Sequence, residues 1–197
     1  CVPLDDPENY PEAYADRGVF MVNAADPAGP WSDPLMVIEG KGYIDTTPLW
    51  DDDGRCYLVN GWANSRIGFN GVLTVRELSA DGTRPIGDPC IVFDGDATRN
   101  VTTEGPKFYK RDGWYWILCP AGGVAGGWQL AMRSRSPYGP YEWRRVLQRG
   151  TTAVNGPPRA GGCTRSTAKT GLCTSKTRAP TGASATCSPS TGAAAGP

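Results

Sequence analysis

Two carboxylates in similar sequence contexts are the strongest candidates for chemistry in this chain. Asp45 lies in Gly42-Tyr-Ile-Asp-Thr-Thr-Pro-Leu-Trp50, and Glu104 lies in Thr103-Glu-Gly-Pro-Lys-Phe-Tyr109. Carboxylate pairs that flank a sugar are the usual groups of glycoside hydrolysis, in which one donates a proton and another activates water or attacks the anomeric carbon. The two residues are therefore candidates for acid–base chemistry on a glycosidic bond.

Each carboxylate also has a purely structural interpretation. Glu104 could be a solvated carboxylate at a strand end, although Gly105 permits close backbone approach and Pro106 fixes the strand entry, which would hold the carboxyl in place. Asp45 could cap the backbone of the threonines that follow it, as in an Asx turn. Spacing alone leaves both alternatives open.

Aromatic residues could supply the sugar-binding surface, because an aromatic face suits the apolar face of a pyranose. Four tryptophans are candidates: Trp62, Trp114, Trp116 and Trp128. We expect at least half of them to belong to the core, and we assign Trp62 and Trp128 to substrate binding. The acidic run Asp51-Asp-Asp53 precedes Gly54 and is interpreted as a solvated hairpin turn rather than a metal site.

Composition excludes several classes of function. The chain contains no histidine, which removes the commonest metal ligand and any Ser/His or Cys/His catalytic pair. Twenty basic residues balance twenty acidic ones, so no net charge attracts nucleic acid or an anionic membrane. No apolar stretch is long enough to span a bilayer. We therefore predict a neutral oligosaccharide or polysaccharide partner, no cofactor and no metal.

The elements that would position these residues are recurring β-hairpins. Paired aromatic or β-branched runs, joined by a turn ending in Gly, occur at 14–22, 49–59 and 108–118. Asp-Gly between two such runs is a strong hairpin signal. A second strand pair, marked by turn residues such as Gly and Pro, follows each hairpin. Four-stranded antiparallel units that repeat in this way are typical of β-propeller blades. The opening strand of each blade lines the central channel, so both carboxylates would face one axial pocket. A β-sandwich is the alternative.

The chain divides into two unlike parts. Residues 158–197 consist almost entirely of Thr, Ser, Ala, Gly, Pro, Lys, Arg and Cys, and Leu172 is their only large aliphatic residue. We therefore predict an all-β catalytic domain at 1–157 and a low-complexity, disordered tail at 158–197. The apolar runs around Cys56, Cys90 and Cys119 indicate structural, buried thiols. Because the sequence begins with Cys1, we expect it to enter part-way through a domain.

Five groups of residues together resemble glycoside hydrolase family 43, especially its β-xylosidase and α-L-arabinofuranosidase branch, over residues 14–157. They are Ala25-Asp-Pro-Ala-Gly-Pro-Trp31, Lys41-Gly-Tyr-Ile-Asp45 with Trp50-Asp-Asp-Asp-Gly54, Glu104-Gly-Pro-Lys-Phe-Tyr109, Ala121-Gly-Gly-Val124 with Gly127-Trp-Gln129, and Tyr138-Gly-Pro-Tyr141. The resemblance implies a five-bladed propeller, of which this chain would supply about two and a half blades.

The resemblance also implies roles for the two carboxylates. Glu104 matches the general acid of the family, and Asp45 matches the aspartate that orients this acid and modulates its proton affinity. The family inverts configuration with a third carboxylate, an aspartate of the first blade, which has no counterpart here. The implied function is hydrolysis of arabinose- or xylose-containing plant polysaccharide fragments by the full-length protein, with this chain inactive alone. A non-catalytic carbohydrate-binding propeller is the alternative.

A frameshift would explain the loss of pattern after Pro157. In this branch Asn-Gly-Pro is normally followed by His-Gln-Gly-Gly-Trp, whereas here Asn155-Gly-Pro157 precedes Pro158-Arg-Ala-Gly-Gly162. Loss of one base from that His codon would produce such a change, and in the shifted frame Thr170–Thr177 allow Trp-Phe-Val-His-Phe-Gln-Asp. Family members often hold a cation near the lost histidine, so this hypothesis also predicts no metal site.

Overall fold

The computed structural model describes residues 17–123 and 127–148, together with the backbone of three strands in the tail. Apart from one helical turn, α1 (Asn64–Ile67), the regular elements of this part of the chain are β-strands. The strands are β1 (Gly18–Met21), β2 (Leu35–Glu39), β3 (Tyr43–Trp50), β4 (Cys56–Trp62), β5 (Val72–Leu78), β6 (Pro85–Asp94), β7 (Lys107–Arg111), β8 (Trp114–Ala121), β9 (Trp128–Ser134), β10 (Glu142–Leu147), β11 (Arg159–Thr164), β12 (Thr170–Thr177) and β13 (Ala183–Ser188).

The strands form antiparallel sheets in which neighbours along the chain pair with one another. The order is β3-β4-β5-β6 in one four-stranded sheet and β7-β8-β9-β10 in the next, and β1 pairs with β2. The hairpins predicted at 49–59 and 108–118 are confirmed. In the first, the Gly54 N–H donates to the Asp51 carbonyl (3.0 Å), and the positive φ of +81° explains the glycine there. Part of the hairpin predicted at 14–22 lies outside the described residues.

Successive sheets pack face to face, and β4 shows this most clearly because both of its faces are buried. Its alternate residues Cys56 and Leu58 pack with Val37 and Ile38 of β2. The residues between them, Tyr57 and Val59, pack in a second cluster with side chains of β7, β8 and β9. Since side chains alternate along a strand, the middle sheet lies between two others. A two-layer sandwich has no such middle sheet, whereas propeller blades stack in this way.

Asp51 corrects the interpretation of the acidic run as a solvated turn. Asp52 and Asp53 are exposed, but the Asp51 side chain is only 3% exposed. Its carboxylate accepts hydrogen bonds from the Lys110 ammonium and the Tyr115 hydroxyl, both in the following sheet. Asp51 therefore links two blades, and the prediction of a solvated turn is wrong for this residue.

The cysteines differ from the prediction at one position. Cys56 and Cys119 are buried, as predicted, and burial raises the pKa of the Cys56 thiol to about 11. Cys90 is exposed, because it lies on β6, the outermost strand of its sheet. An apolar run does not distinguish an outer strand from an inner one, which is why the prediction of a buried thiol is wrong for Cys90.

The tail contains three of the strands. β11 pairs with β12 and β12 with β13, all antiparallel, and β11 lies against β8. The structure thus differs from the predicted disorder at these three strands. Their sequences contain several threonines and no proline, a composition that a strand accommodates. The domain boundary at residue 157 stays a prediction.

Candidate active site

The predicted site residues lie at one edge of the stacked sheets. Tyr43, at the start of β3, pairs with Trp62 at the end of β4. The strands β3 and β7 are in contact, and the Thr47 hydroxyl donates to the Pro106 carbonyl (2.7 Å), which joins the two blades at this edge. The residues before β7 therefore come next to the first half of β3.

Asp45 lies in β3, where the pairing with β4 shifts register between Ile44 and Thr47. Its φ is +54°, a left-handed conformation that aspartate adopts more readily than most residues. The exposed carboxylate accepts a hydrogen bond through Oδ2 from the Gly105 N–H at 3.0 Å. This bond reaches across to the next blade, unlike the local Asx cap that was its structural alternative.

Glu104 lies in the connection between β6 and β7, three residues before β7 begins, and not within the blade-opening strand as predicted. Its N–H donates to the Pro120 carbonyl of β8 at 3.1 Å, and the residue is half-buried. Gly105 follows with φ at +60°, and a Cβ on it would lie 4.0 Å from Asp45 Oδ2. Glycine at this position adopts the positive φ with which the chain turns past Asp45. The residue next to Glu104 is therefore the one that donates a hydrogen bond to the Asp45 carboxylate.

Trp62 belongs to an aromatic cluster at this edge. Its ring centroid is 4.7 Å from that of Tyr43 and 5.9 Å from that of Phe69. Trp62 is half-buried and Phe69 is 46% exposed. Tilted rings at these distances form a continuous apolar surface of the type that sugars stack on.

Trp128 lies at the start of β9, opposite Ala121 at the end of β8, and so reaches the same edge. The Arg145 guanidinium lies over its ring, 3.8 Å from the centroid, and its indole N–H donates to Asn100 Oδ1 (3.0 Å). One face of the ring and its only hydrogen-bond donor are thus occupied by the protein itself. Its assignment to substrate binding stays a prediction.

The sequence of the chain matches a family model over most of its length. The model described as glycosyl hydrolases family 43 matches residues 9–161. The chain belongs to glycosyl hydrolases family 43. The resemblance of the motifs to this family is therefore confirmed.

Family 43 relatives share substantial sequence with the chain. A Xylanibacter ruminicola protein that carries a beta-xylosidase name is 42% identical over 142 residues, or 72% of this chain and 26% of the relative. A xylosidase/arabinosidase of Butyrivibrio fibrisolvens is 36% identical over 112 residues, or 55% of this chain and 22% of the relative. The chain thus spans about a quarter of the length of the curated relatives that it matches.

Solved structures confirm the architecture. A xylan beta-1,4-xylosidase from Bacillus halodurans superposes with a TM-score of 0.71 at 25% identity, covering 85% of this chain and 34% of that one. An endo-arabinase from Bacteroides thetaiotaomicron superposes with a TM-score of 0.71 at 15% identity, covering 90% and 67%. The fold is part of a five-bladed β-propeller, as predicted.

Sequence reasoning did not single out three residues that contact the predicted site residues Trp62 and Trp128: Phe69, Asn100 and Arg145. Asn100 is fully buried, and Arg145 contacts both Asn100 and Trp128. Nothing in the sequence indicates these contacts, because each partner comes from a different element. Phe69 could have been suspected as an aromatic residue in the loop that follows Trp62.

The described residues lack two other kinds of feature. They include no cluster of three or more His, Cys, Asp or Glu side chains that could hold a metal ion. They also include no apolar helix of bilayer-spanning length.

Proposed function

We propose that the full-length protein carrying this segment is a glycoside hydrolase that cleaves O-glycosidic bonds in arabinose- or xylose-containing plant polysaccharide fragments. The hydrogen bond from the Gly105 N–H to Asp45 Oδ2 is the observation that carries the proposal. It joins two blades at the channel edge and places a fixed carboxylate beside the residue that follows Glu104. A carboxylate held next to the backbone of a glutamate suits acid-catalysed departure of an alcohol.

In the proposed mechanism Glu104 protonates the glycosidic oxygen as the bond to the anomeric carbon breaks. Asp45 orients the acid through the Gly105 backbone and adds a negative charge near the developing oxocarbenium ion. Water attacks the opposite face of the sugar, activated by a third carboxylate from outside the described residues, so configuration inverts. Residues 1–197 alone, lacking that base, would be inactive.

The substrate class rests on the aromatic surface and on the names of the relatives. Trp62 and Phe69 offer apolar rings that contact each other, and Phe69 is 46% exposed. Relatives are named xylosidase/arabinosidase in Butyrivibrio fibrisolvens and non-reducing end alpha-L-arabinofuranosidase in Bacteroides ovatus. Pentose glycosides are therefore the substrates to test first.

The first product formed should have the inverted anomeric configuration. With an aryl β-D-xyloside, the α-anomer of xylose should appear before mutarotation, because water attacks from the face opposite the leaving group. Time-resolved proton NMR of the anomeric signals measures this directly. Initial formation of the β-anomer would indicate a covalent intermediate and would rule out the inverting mechanism.

Replacing Asp45 should impair turnover without unfolding the protein. In Asp45→Ala the bond to Gly105 is lost and alanine must adopt a positive φ, so we expect kcat to fall about 100-fold through misplacement of the acid. Asp45→Asn keeps an acceptor and tolerates the backbone, and should retain more activity than the alanine variant. Asp88→Ala, at an exposed aspartate of β6, is the matched control. Equal activity of Asp45→Ala and the control would refute the role of Asp45.

A further inference from the structure

The connection that delivers Glu104 is held in a strained shape. It runs from Asp94, the end of β6, to Lys107, the start of β7. Arg99 and Thr102 have φ values of +58° and +55°, which residues other than glycine seldom adopt. Such conformations are energetically costly and persist only where the surroundings fix them. The contacts that fix this connection therefore bear on where Glu104 lies.

Asn100 is the centre of those contacts and is fully buried. Its backbone N–H donates to the Gly95 carbonyl (2.6 Å), and its own carbonyl accepts from the Thr103 hydroxyl (2.5 Å). Its side-chain amide group donates to both the carbonyl and the hydroxyl of Thr98. Every polar group of Asn100 is therefore engaged, and the bond to Thr103 reaches the residue directly before Glu104.

Arg145 joins this centre to the outer strand β10. Its Nε donates to Asn100 Oδ1 at 3.0 Å, and its Nη2 donates to the Arg99 carbonyl at 2.8 Å. The same guanidinium stacks on Trp128, whose indole N–H donates to the same Asn100 oxygen. Within residues 17–123 and 127–148, no carboxylate pairs with Arg145. Its donors go to a strained peptide and a buried amide, where a planar, forked cation fits better than an ammonium.

Two further anchors of the connection lie on β8 and just after it. The Gly122 N–H donates to the Val101 carbonyl (2.7 Å), and the Glu104 N–H donates to the Pro120 carbonyl (3.1 Å). The backbone at 99–104 is thus fastened on one side to the inner strands and on the other to Arg145. Loss of Arg145 would free the outer side only, so the blade itself would stay folded.

We propose that Asn100 and Arg145 are positioning residues for the general acid, and that the Arg145–Asn100–Trp128 contact is a clamp that sets the location of the Glu104 carboxyl. The inference rests on the proposed function, since it gives these residues a role in the same reaction. In this proposal Trp128 belongs to the clamp and supports the acid through its contacts with Asn100 and Arg145.

The test uses substrates that differ in their need for a proton donor. A misplaced acid slows cleavage of xylobiose, whose leaving alcohol must be protonated, more than cleavage of 2,4-dinitrophenyl xyloside, whose leaving group departs unaided. In the full-length protein we expect Arg145→Met to lower kcat on xylobiose by about 100-fold and on the dinitrophenyl substrate by less than about 5-fold. Arg145→Lys should behave similarly, because lysine reproduces neither the fork nor the stacking.

Arg144→Met is the matched control, because Arg144 is an exposed neighbour on the same strand, and it should match wild type on both substrates. Equal losses on the two substrates in both Arg145 variants would mean a general loss of folded enzyme and would overturn the proposal. If Arg145→Met does not fold, the Arg145→Lys ratio alone decides. Wild-type protein that is inactive on xylosides and on arabinofuranosides alike would instead refute the proposed function itself.

Discussion

Glu104→Gln in the full-length protein is expected to lower kcat on xylobiose by about 10³-fold, because a positioned general acid contributes 10²–10⁴-fold to such reactions. Glutamine has nearly the same shape but cannot donate the acidic proton. The loss should be much smaller on 2,4-dinitrophenyl xyloside, since its leaving group needs no protonation. Steady-state kinetics on both substrates measure the ratio.

Glu142→Gln is the control for this substitution. Glu142 is exposed on β10 and pairs with Arg133 at 3.0 Å, away from the channel edge. It should leave both rates unchanged. Comparable losses on the two substrates in Glu104→Gln would indicate a structural role for Glu104 and would contradict its assignment as the proton donor.

The second large effect concerns stability and the buried Asp51. Lys110→Met in the full-length protein should reduce the free energy of unfolding by about 3 kcal/mol, because it leaves a buried carboxylate without its cation. The Lys110 side chain is 22% exposed and that of Asp51 only 3%. Arg55→Met is the control, since Arg55 pairs with Asp53 at 2.7 Å on the surface and should change little. Urea unfolding of the three proteins measures the difference.

The pH dependence of this effect follows from the groups around Asp51. Burial raises the pKa of Asp51, but hydrogen bonds from Lys110, Tyr115 and the Asp52 backbone outweigh it, so the net pKa is lowered. Its contribution is present above the unfolded pKa of about 3.9 and is lost as pH falls through the lower folded pKa. The deficit of Lys110→Met should therefore shrink in acid. A deficit that does not change between pH 7 and pH 3 would contradict this account.

At high pH, the ionisation of Tyr115 changes the stability of the fold in the opposite direction. Burial, with the hydrogen bond to Asp51, raises the pKa of Tyr115 to about 12. A raised pKa gives stability that is complete below the unfolded value, about 10, and is lost as pH rises towards the folded value. Tyr115→Phe should lack this part of the alkaline loss.

Turns and strands, whose formation depends on residues close together in the chain, could be predicted from the sequence. The Asp-Gly turns before Arg55 and Trp114 predicted hairpins because their geometry is local, and both hairpins are present. The aromatic and β-branched runs at 49–59 indicated strands but not which faces meet. Asp45 and Glu104 could be singled out because each lies in a short recognisable motif, and their catalytic roles stay predictions.

The contacts that fix the site could not be predicted, because they join residues far apart in the chain. The acidic run predicts a solvated turn at Asp51, because nothing near it in the chain indicates its partners. Those partners, Lys110 and Tyr115, come from the next blade. Asn100 accepts hydrogen bonds from Arg145 and Trp128, which reach it from β10 and β9. Spacing carries no information about such pairs, and only the stacking of the blades brings them together.

Turnover by the full-length protein tests the central claim most directly. Hydrolysis of 4-nitrophenyl α-L-arabinofuranoside and 4-nitrophenyl β-D-xylopyranoside should be measured beside binding of xylo-oligosaccharides. We predict turnover of at least one aryl glycoside, with no turnover by residues 1–197 alone. Binding of xylo-oligosaccharides without hydrolysis of either substrate would contradict the account and would indicate a carbohydrate-binding propeller that is not an enzyme.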